Sequence, residues 1–285
     1  MLSINCRGQL LNFNTPVVMG IINTTPDSFY DNSRKNQIDA ILDTASKMLQ
    51  DGATILDIGG QSTRPGSERV SATDELKRVL PAIEAIHGAF PNAILSIDTF
   101  YASVAEAAVK AGAHIINDVS AGSIDENLIP VVARLQVPYV LMHMQGNPQI
   151  MQINPTYENV VLEVFDTLNR QLKALTQKGI NDIIIDPGFG FGKTIAHNFQ
   201  LLQELAYFHH LQKPLLIGLS RKGTIYKTLN ITADEALNGT TVLNTISLLQ
   251  GAHILRVHDV KEAAQAIKLV GAYQKEKGAA QRTAP

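Results

Sequence analysis

The chain has 285 residues, 45% of them hydrophobic and 18% charged, with a formal net charge of −2 at pH 7. That composition supplies an ample globular core and argues against a general nucleic-acid binder. One cysteine, Cys6, excludes an internal disulfide framework and a cysteine-based zinc site, and no stretch reaches the ~18 apolar residues of a membrane span.

At the N-terminus, "MLSINCRGQLLNFN" lacks the basic start and long apolar run of a signal peptide, so a soluble cytoplasmic protein is expected. "LSINC" and "QLLNF" flank Arg7 and Gly8 and predict a hairpin. The first apolar run, "PVVMGIIN", ends in Asn23. A polar loop over 24–36 follows, then helix spacing at Ile38, Ile41, Leu42, Ala45, Met48 and Leu49, closed by "DG" at Asp51. "ATILDIGG" leads into "QSTRPGS" and a helix with Leu76, Val79, Leu80, Ile83 and Ile86 on one face. "AILSIDT" ends in Asp98, "HIINDVS" in Asn117 and Asp118, and "PYVLMHM" in His143. Val161, Val164, Phe165, Leu168, Leu172 and Leu175 mark another helix, before "DIIIDPG" ends in Asp186. "PLLIGLS" runs into "SRKG", and "HILRVHD" ends in Arg256 and His258. A helix with Val260, Ala263, Ala264, Ile267 and Val270 closes a single domain over 1–277. The tail from Gly278, "GAAQRTAP", reads as disordered.

Short, nearly continuous apolar runs are strands buried on both faces. About eight of them in strict alternation with helices predict an α/β fold, a (β/α)8 TIM barrel with the hairpin plugging its floor. An open doubly wound sheet is the rival. In a barrel the site lies at the C-terminal ends of the strands, where this sequence places its polar residues. A lone Asp at a strand end caps the next helix more often than it touches a ligand, but capping alone does not account for nearly every strand ending this way. Arg64, Arg221, Lys222, Arg256 and His258 cluster in the second, seventh and eighth loops and suit a phosphate. Thr63 adds a hydroxyl near a helix start, and Asn23 a hard oxygen suited to magnesium. Asp98, Asn117 and Asp186 suit a ligand that presents N–H edges. Phe189 and Phe191 are either flat faces for that ligand or core. Together these point to a planar nitrogen heterocycle joined to a phosphate or diphosphate.

"IIIDPGFGFGKT" looks like a phosphate loop and fails the test. The P-loop pattern requires glycine five residues before Gly192, where Pro187 stands. The dinucleotide pattern G-x-G-x-x-G fails at Lys193.

"GIINTTPDSFYD", "DIGGQSTRPGS", "LSIDTF", "HIINDVS", "VLMHMQGNP", "IIIDPGFGFGK", "GLSRKG" and "LRVHDV" resemble, in order, the motif series of the dihydropteroate synthase family. The resemblance implies a pterin-binding barrel that condenses 6-hydroxymethyl-7,8-dihydropterin diphosphate with p-aminobenzoate, releasing pyrophosphate, in folate biosynthesis. It implies a transferase with Mg2+ as cofactor, a homodimer, a target of sulfonamides, and no nucleic-acid or membrane partner. By motif, Asp98, Asn117, Asp186, Lys222 and Phe189 would bind the pterin. Thr63, Arg64, Arg256 and His258 would bind the diphosphate, with Asn23 on the metal. Thr63, Pro65, Phe191, Ser220 and Lys222 would line the p-aminobenzoate site. Asp98, Lys222, Arg256 and His258 would carry catalysis, and loops 24–36 and 61–67 would close as lids. Three positions depart from the family pattern. Gln61 stands where many relatives carry Glu, with little effect expected. "FYDNSR" makes the first loop bulkier. Gly223 stands where many relatives have a serine facing the p-aminobenzoate carboxylate. Two alternatives remain at this level: the pterin barrel of a corrinoid methyltransferase, which has no need of "TPDSF" or "STRPG", and a non-enzymatic regulatory scaffold, which should have lost the catalytic set.

Overall fold

The chain opens with the expected hairpin: β1 (Ser3–Cys6) pairs antiparallel with β2 (Gln9–Asn12), turning at Arg7 and Gly8, both with positive φ. The structure, a computed structural model, describes residues 2–24, 34–61, 69–146, 151 and 154–283. After the hairpin, strands and helices alternate: β3 (Val17–Asn23), α1 (Arg34–Asp51), β4 (Ala53–Gly59), α2 (Ala72–Ala89), β5 (Ile94–Asp98), α3 (Ala102–Ala111), β6 (Ile115–Asp118) and α4 (Leu128–Leu135). Then follow β7 (Tyr139–Met142), α5 (Val160–Gln177), β8 (Ile183–Asp186), α6 (Ile195–Gln203) with a 3-10 turn over Leu205–Leu211, and β9 (Leu216–Ile217). Two helices, α7 (Gly223–Leu229) and α8 (Leu237–Leu249), lead to β10 (Ile254–Val257) and α9 (Val260–Thr283).

The strands form one parallel sheet in the order β8-β7-β6-β5-β4-β3-β10-β9. A single parallel bridge, Ile185 to Leu215, links β8 back to β9. The sheet therefore closes into a (β/α)8 barrel, and the open doubly wound alternative is excluded. The seam is its thinnest join, because β9 is only two residues long.

Alternation along the strands sorts the core into two layers. Val18, Ile22, Leu56, Ile58, Ile97 and Leu141 point outward into the helices. Met19, Ile55, Ile94, Ile115, Val140, Ile184, Leu216 and Ile254 point inward and fill the floor. There they meet Ile4, Cys6, Leu11 and Phe13, so the hairpin plugs the barrel as its sequence predicts. Each such fully buried Val, Leu, Ile, Phe or Met side chain contributes about 1.5–3 kcal/mol. The Cys6 thiol is inert here: burial, then the nearby Asp182 charge, push its pKa up to about 12.

Local signals set the helix ends. Ser71 Oγ accepts the Asp74 N–H at 3.2 Å and caps α2. Thr194 Oγ1 accepts the His197 N–H at 3.1 Å, and His197 Nδ1 accepts the Thr194 N–H at 3.3 Å, a capping box that starts α6. Two boundaries differ from the sequence reading. α1 begins at Arg34, so the first loop ends earlier than residue 36. α9 continues to Thr283 where a disordered tail was expected from Gly278, because "AAQR" favours helix and no proline intervenes before Pro285.

Candidate active site

The inward register that fills the floor with aliphatic residues changes character one step higher. Two residues beyond Ile55, Ile94, Ile115, Ile184 and Ile254 stand Asp57, Ser96, Asn117, Asp186 and Arg256. Two further along β3, β5 and β10 stand Asn23, Asp98 and His258. The mouth is thus a polar storey set on an apolar one, built by strand periodicity alone.

Arg256 holds this storey together. Its Nε donates to Asp57 Oδ2 at 2.7 Å and its Nη2 donates to Asp98 Oδ2 at 2.6 Å. Asn117 Nδ2 donates to the same Asp57 oxygen at 3.0 Å. Burial opposes the Arg256 charge, but Asp57 and Asp98 more than offset it and hold its pKa above the ordinary arginine value. Burial raises the Asp98 pKa, with Arg256 pulling it back. Asp57 was not singled out in the sequence, because it lies inside the run "TILDIGG"; counting by twos back from Gly59 would have placed it on the inner face.

Asp186 and Lys222 form the other half of the mouth. Asp186 Oδ1 accepts the Gly188 N–H at 2.7 Å. Burial raises its pKa, and Lys222 is the largest opposing influence. Lys222 Nζ donates to the Phe189 carbonyl at 2.7 Å and sits 4.6 Å from the centre of the Phe191 ring. Burial lowers its pKa to about 8, against the pull of Asp186.

The Phe189 side chain is fully buried in the layer between barrel and helices, which corrects its expected place against the pterin. Its φ-positive neighbours Gly188 and Gly190 turn the chain so that the ring points away from the mouth while the carbonyl points toward it. Phe191 lies on the mouth side, with Phe100, Val119, Met142 and Met151.

On the last two loops, Ser220 Oγ lies 3.0 Å from His258 Nδ1 and accepts the His258 backbone N–H at 3.2 Å. Ser220 thus orients His258. Arg221 is forked onto Asp259 at 2.7 and 3.0 Å, so it ties the two loops together instead of offering its charge to a ligand. Asp118 faces outward and accepts from Ser120 N, Gly122 N and Tyr139 Oη at 2.6–2.7 Å, a structural role. His143 also lies behind the mouth, against Lys193. At the second loop, Gln61 Nε2 donates to buried Glu75 Oε2 at 2.8 Å, so Gln61 does more than expected: a glutamate there would face a second carboxylate. Thr63, Arg64 and Pro65, and residues 25–33 and 62–67 of the two expected lids, lie outside the described residues.

The mouth therefore interleaves acceptors (Asp98, Asn117, Asp186) with cations (Lys222, Arg256), and His258 lies beside them. Residues 19–258 match the family described as pterin binding enzyme. The chain belongs to the pterin-binding enzyme family. It is 45% identical over 268 residues to the dihydropteroate synthase of Escherichia coli strain K12, covering 93% of this chain and 94% of that one. It resembles the crystal structure of Yersinia pestis dihydropteroate synthase with a sulfonamide drug at a TM-score of 0.91 and 41% identity, over 96% of this chain and 100% of that one. Xanthomonas albilineans dihydropteroate synthase in complex with 7,8-dihydropteroate superposes at a TM-score of 0.85 and 38% identity, over 95% and 98% of the two chains.

Proposed function

We infer that the chain is a transferase of folate biosynthesis that condenses 6-hydroxymethyl-7,8-dihydropterin diphosphate with p-aminobenzoate to give 7,8-dihydropteroate and pyrophosphate. The observation that carries this is a mouth lined by both carboxylates and cations, with Arg256 lying directly on Asp57 and Asp98, in a chain 45% identical to a dihydropteroate synthase. A bare nucleotide site needs no buried carboxylate of the Asp186 kind, and a corrinoid partner needs no cluster of cations.

In this reading Asp186 accepts from the pterin's 2-amino group and adjacent ring N–H, a pair that one carboxylate can bind side by side. Asn117 and Asp98 complete that edge. Arg256 spends one N–H on each of Asp57 and Asp98, and a guanidinium has five, so further donors remain for the diphosphate. His258 stands beside it, oriented by Ser220, and Thr63 and Arg64 join from the second loop. Departure of pyrophosphate breaks the C–O bond and leaves cationic character on the pterin methylene. The electron-rich ring delocalises that charge, and Asp98 tolerates it. The aniline nitrogen then forms the new C–N bond and loses a proton to solvent. It is a weak nucleophile, and its gain comes from being held in line by Phe191, Ser220, Pro65 and Lys222. No side chain serves as nucleophile.

Magnesium fits this mouth as a metal carried by the substrate. Among the described residues no group of three or more His, Cys, Asp or Glu could hold a metal, while Asn23 ends β3 with its Oδ1 beside Gly59. One neutral oxygen plus diphosphate oxygens and water is a donor set that magnesium accepts. When bound, it would neutralise charge on the leaving pyrophosphate.

The p-aminobenzoate site makes the protein a sulfonamide target. No helix among the described residues is long and apolar enough to cross a membrane, and a cytoplasmic location goes with the reading. A homodimer does too: Val242, Ile246 and Leu249 on α8 and Leu269 and Tyr273 on α9 are exposed on adjoining helices. Pyrophosphate release measured with and without p-aminobenzoate tests the function. Release that needs both substrates supports it, and release indifferent to the amine overturns it.

A further inference from the structure

Lys193 takes no part in the chemistry above, yet it is 2% exposed. A lysine so deeply buried needs partners for its charge. Its Nζ lies 2.9 Å from the Gly188 carbonyl, 3.0 Å from the Phe191 carbonyl and 3.4 Å from the His143 carbonyl. His143 Nδ1 is 3.0 Å away. Burial, then the Lys193 charge, lower the His143 pKa to about 3, so its ring is neutral and Nδ1 accepts while the proton sits on Nε2.

A P-loop turns backbone N–H groups inward onto an anion. This loop does the opposite. Positive φ at Gly188, Gly190 and Gly192 turns carbonyl groups inward onto an amine whose pKa burial lowers to about 7, and the residue that ends the loop supplies it. A Cβ on Gly188 would collide with the His143 carbonyl, and one on Gly192 would lie 2.6 Å from the Gln145 carbonyl, so the glycines are required by space as well as by φ.

The outward side of the same loop carries groups of the mouth. The Gly188 N–H clamps Asp186 Oδ1, the Phe189 carbonyl receives Lys222 Nζ, and the Phe191 ring lies beside that ammonium. Asp186 and Lys222 thus share a loop whose centre is Lys193.

We propose that Lys193 is a positioning residue for the pterin half-site: its Nζ, bound to the loop's carbonyls, shapes the loop over 188–192, and that loop holds Asp186 and Lys222 at their working separation. The proposal rests on the function inferred above. It deepens that reading by naming a residue that acts chiefly on the pterin, because Asp186 serves that substrate alone while Lys222 serves both.

Lys193→Met keeps the stem and removes every donor. With folding checked by thermal melting, KM for the pterin diphosphate should rise about tenfold or more, and KM for p-aminobenzoate should rise by a clearly smaller factor, since Lys222 serves both substrates. Lys193→Gln, which restores N–H donors without the charge, should recover part of the loss. Equal changes in both KM values, or none, overturn the proposal. A wild-type protein that binds no pterin overturns both this and the functional reading, whereas an active wild type with an indifferent variant overturns this alone. Should Lys193→Met not fold, the wild type carries the test. Its lysine 15Nζ signal should be protected from exchange with water and shift when the pterin binds, and an unprotected signal that ignores the pterin overturns the proposal.

Discussion

Arg256 Nε donates to Asp57 Oδ2 at 2.7 Å, joining β10 to β4 across 199 residues of sequence. Asp57 is fully buried, so this arginine is a structural counter-charge as well as the diphosphate contact proposed for it. Arg256→Ala should cost about 3–5 kcal/mol of stability, because it strands a buried carboxylate. It should also cost about 2–4 kcal/mol in kcat/KM, as losing a transition-state donor does. Adding Asp57→Asn should restore much of the stability and none of the activity. Urea denaturation of the single and double variants checks this, and additive losses would mean that the pair is not coupled.

Asp186→Asn should weaken pterin diphosphate binding by at least about 2 kcal/mol with the fold intact. Asn can still accept the Gly188 N–H with its carbonyl oxygen, which leaves its amide facing the ligand's own donors. Calorimetry on the folded variant decides: unchanged affinity would reduce Asp186 to a cap for its own loop.

Lys222 loses its proton at lower pH than a free lysine, at about 8, because burial disfavours the charge. Its ammonium is therefore present below that pH and lost above it. Pterin affinity should fall as pH rises through about 8, and in Lys222→Met this alkaline limb should vanish from an already weakened profile. A limb of the same height in the variant would assign it to another group.

Glu75 has its pKa pushed up to about 8, chiefly by burial, with the hydrogen bonds to it acting the other way. Its folded value lies above its unfolded one, so its contribution is fully present below about pH 4.5 and is lost as pH rises toward 8. Glu75→Gln should therefore flatten the decline in stability across that window, by at least about 1 kcal/mol at pH 8 relative to pH 4.5. Melting curves at the two pH values test it; an unchanged slope would show that Glu75 is ionised throughout.

Much of this protein is legible in its residues. Strand ends announce themselves because a polar side chain closing an Ile- and Val-rich run has few other reasons to be there, and Asn23, Asp98, Asn117, Asp186, Arg256 and His258 all stand on the strands where expected. Asp57 escaped because a carboxylate inside a strand looks like a break in the pattern until the period of two is carried through. Phe189 and Phe191 are indistinguishable in "GFGFG", because which aromatic faces the mouth depends on positive φ at the intervening glycines. Arg221 and Arg256 read as equivalent cations. Only their partners, Asp259 for one and Asp57 with Asp98 for the other, separate a loop tie from a member of the site.

The barrel's seam gives the substrate a second task. β8 and β9 meet through one bridge, yet Asp186 ends the first of these strands and Lys222 follows the second. A pterin held by both would act as a stitch across the gap, completing mechanically what backbone pairing leaves open. Ligand binding should then slow hydrogen exchange most at Leu215, Leu216 and Ile217, well away from any atom that reacts.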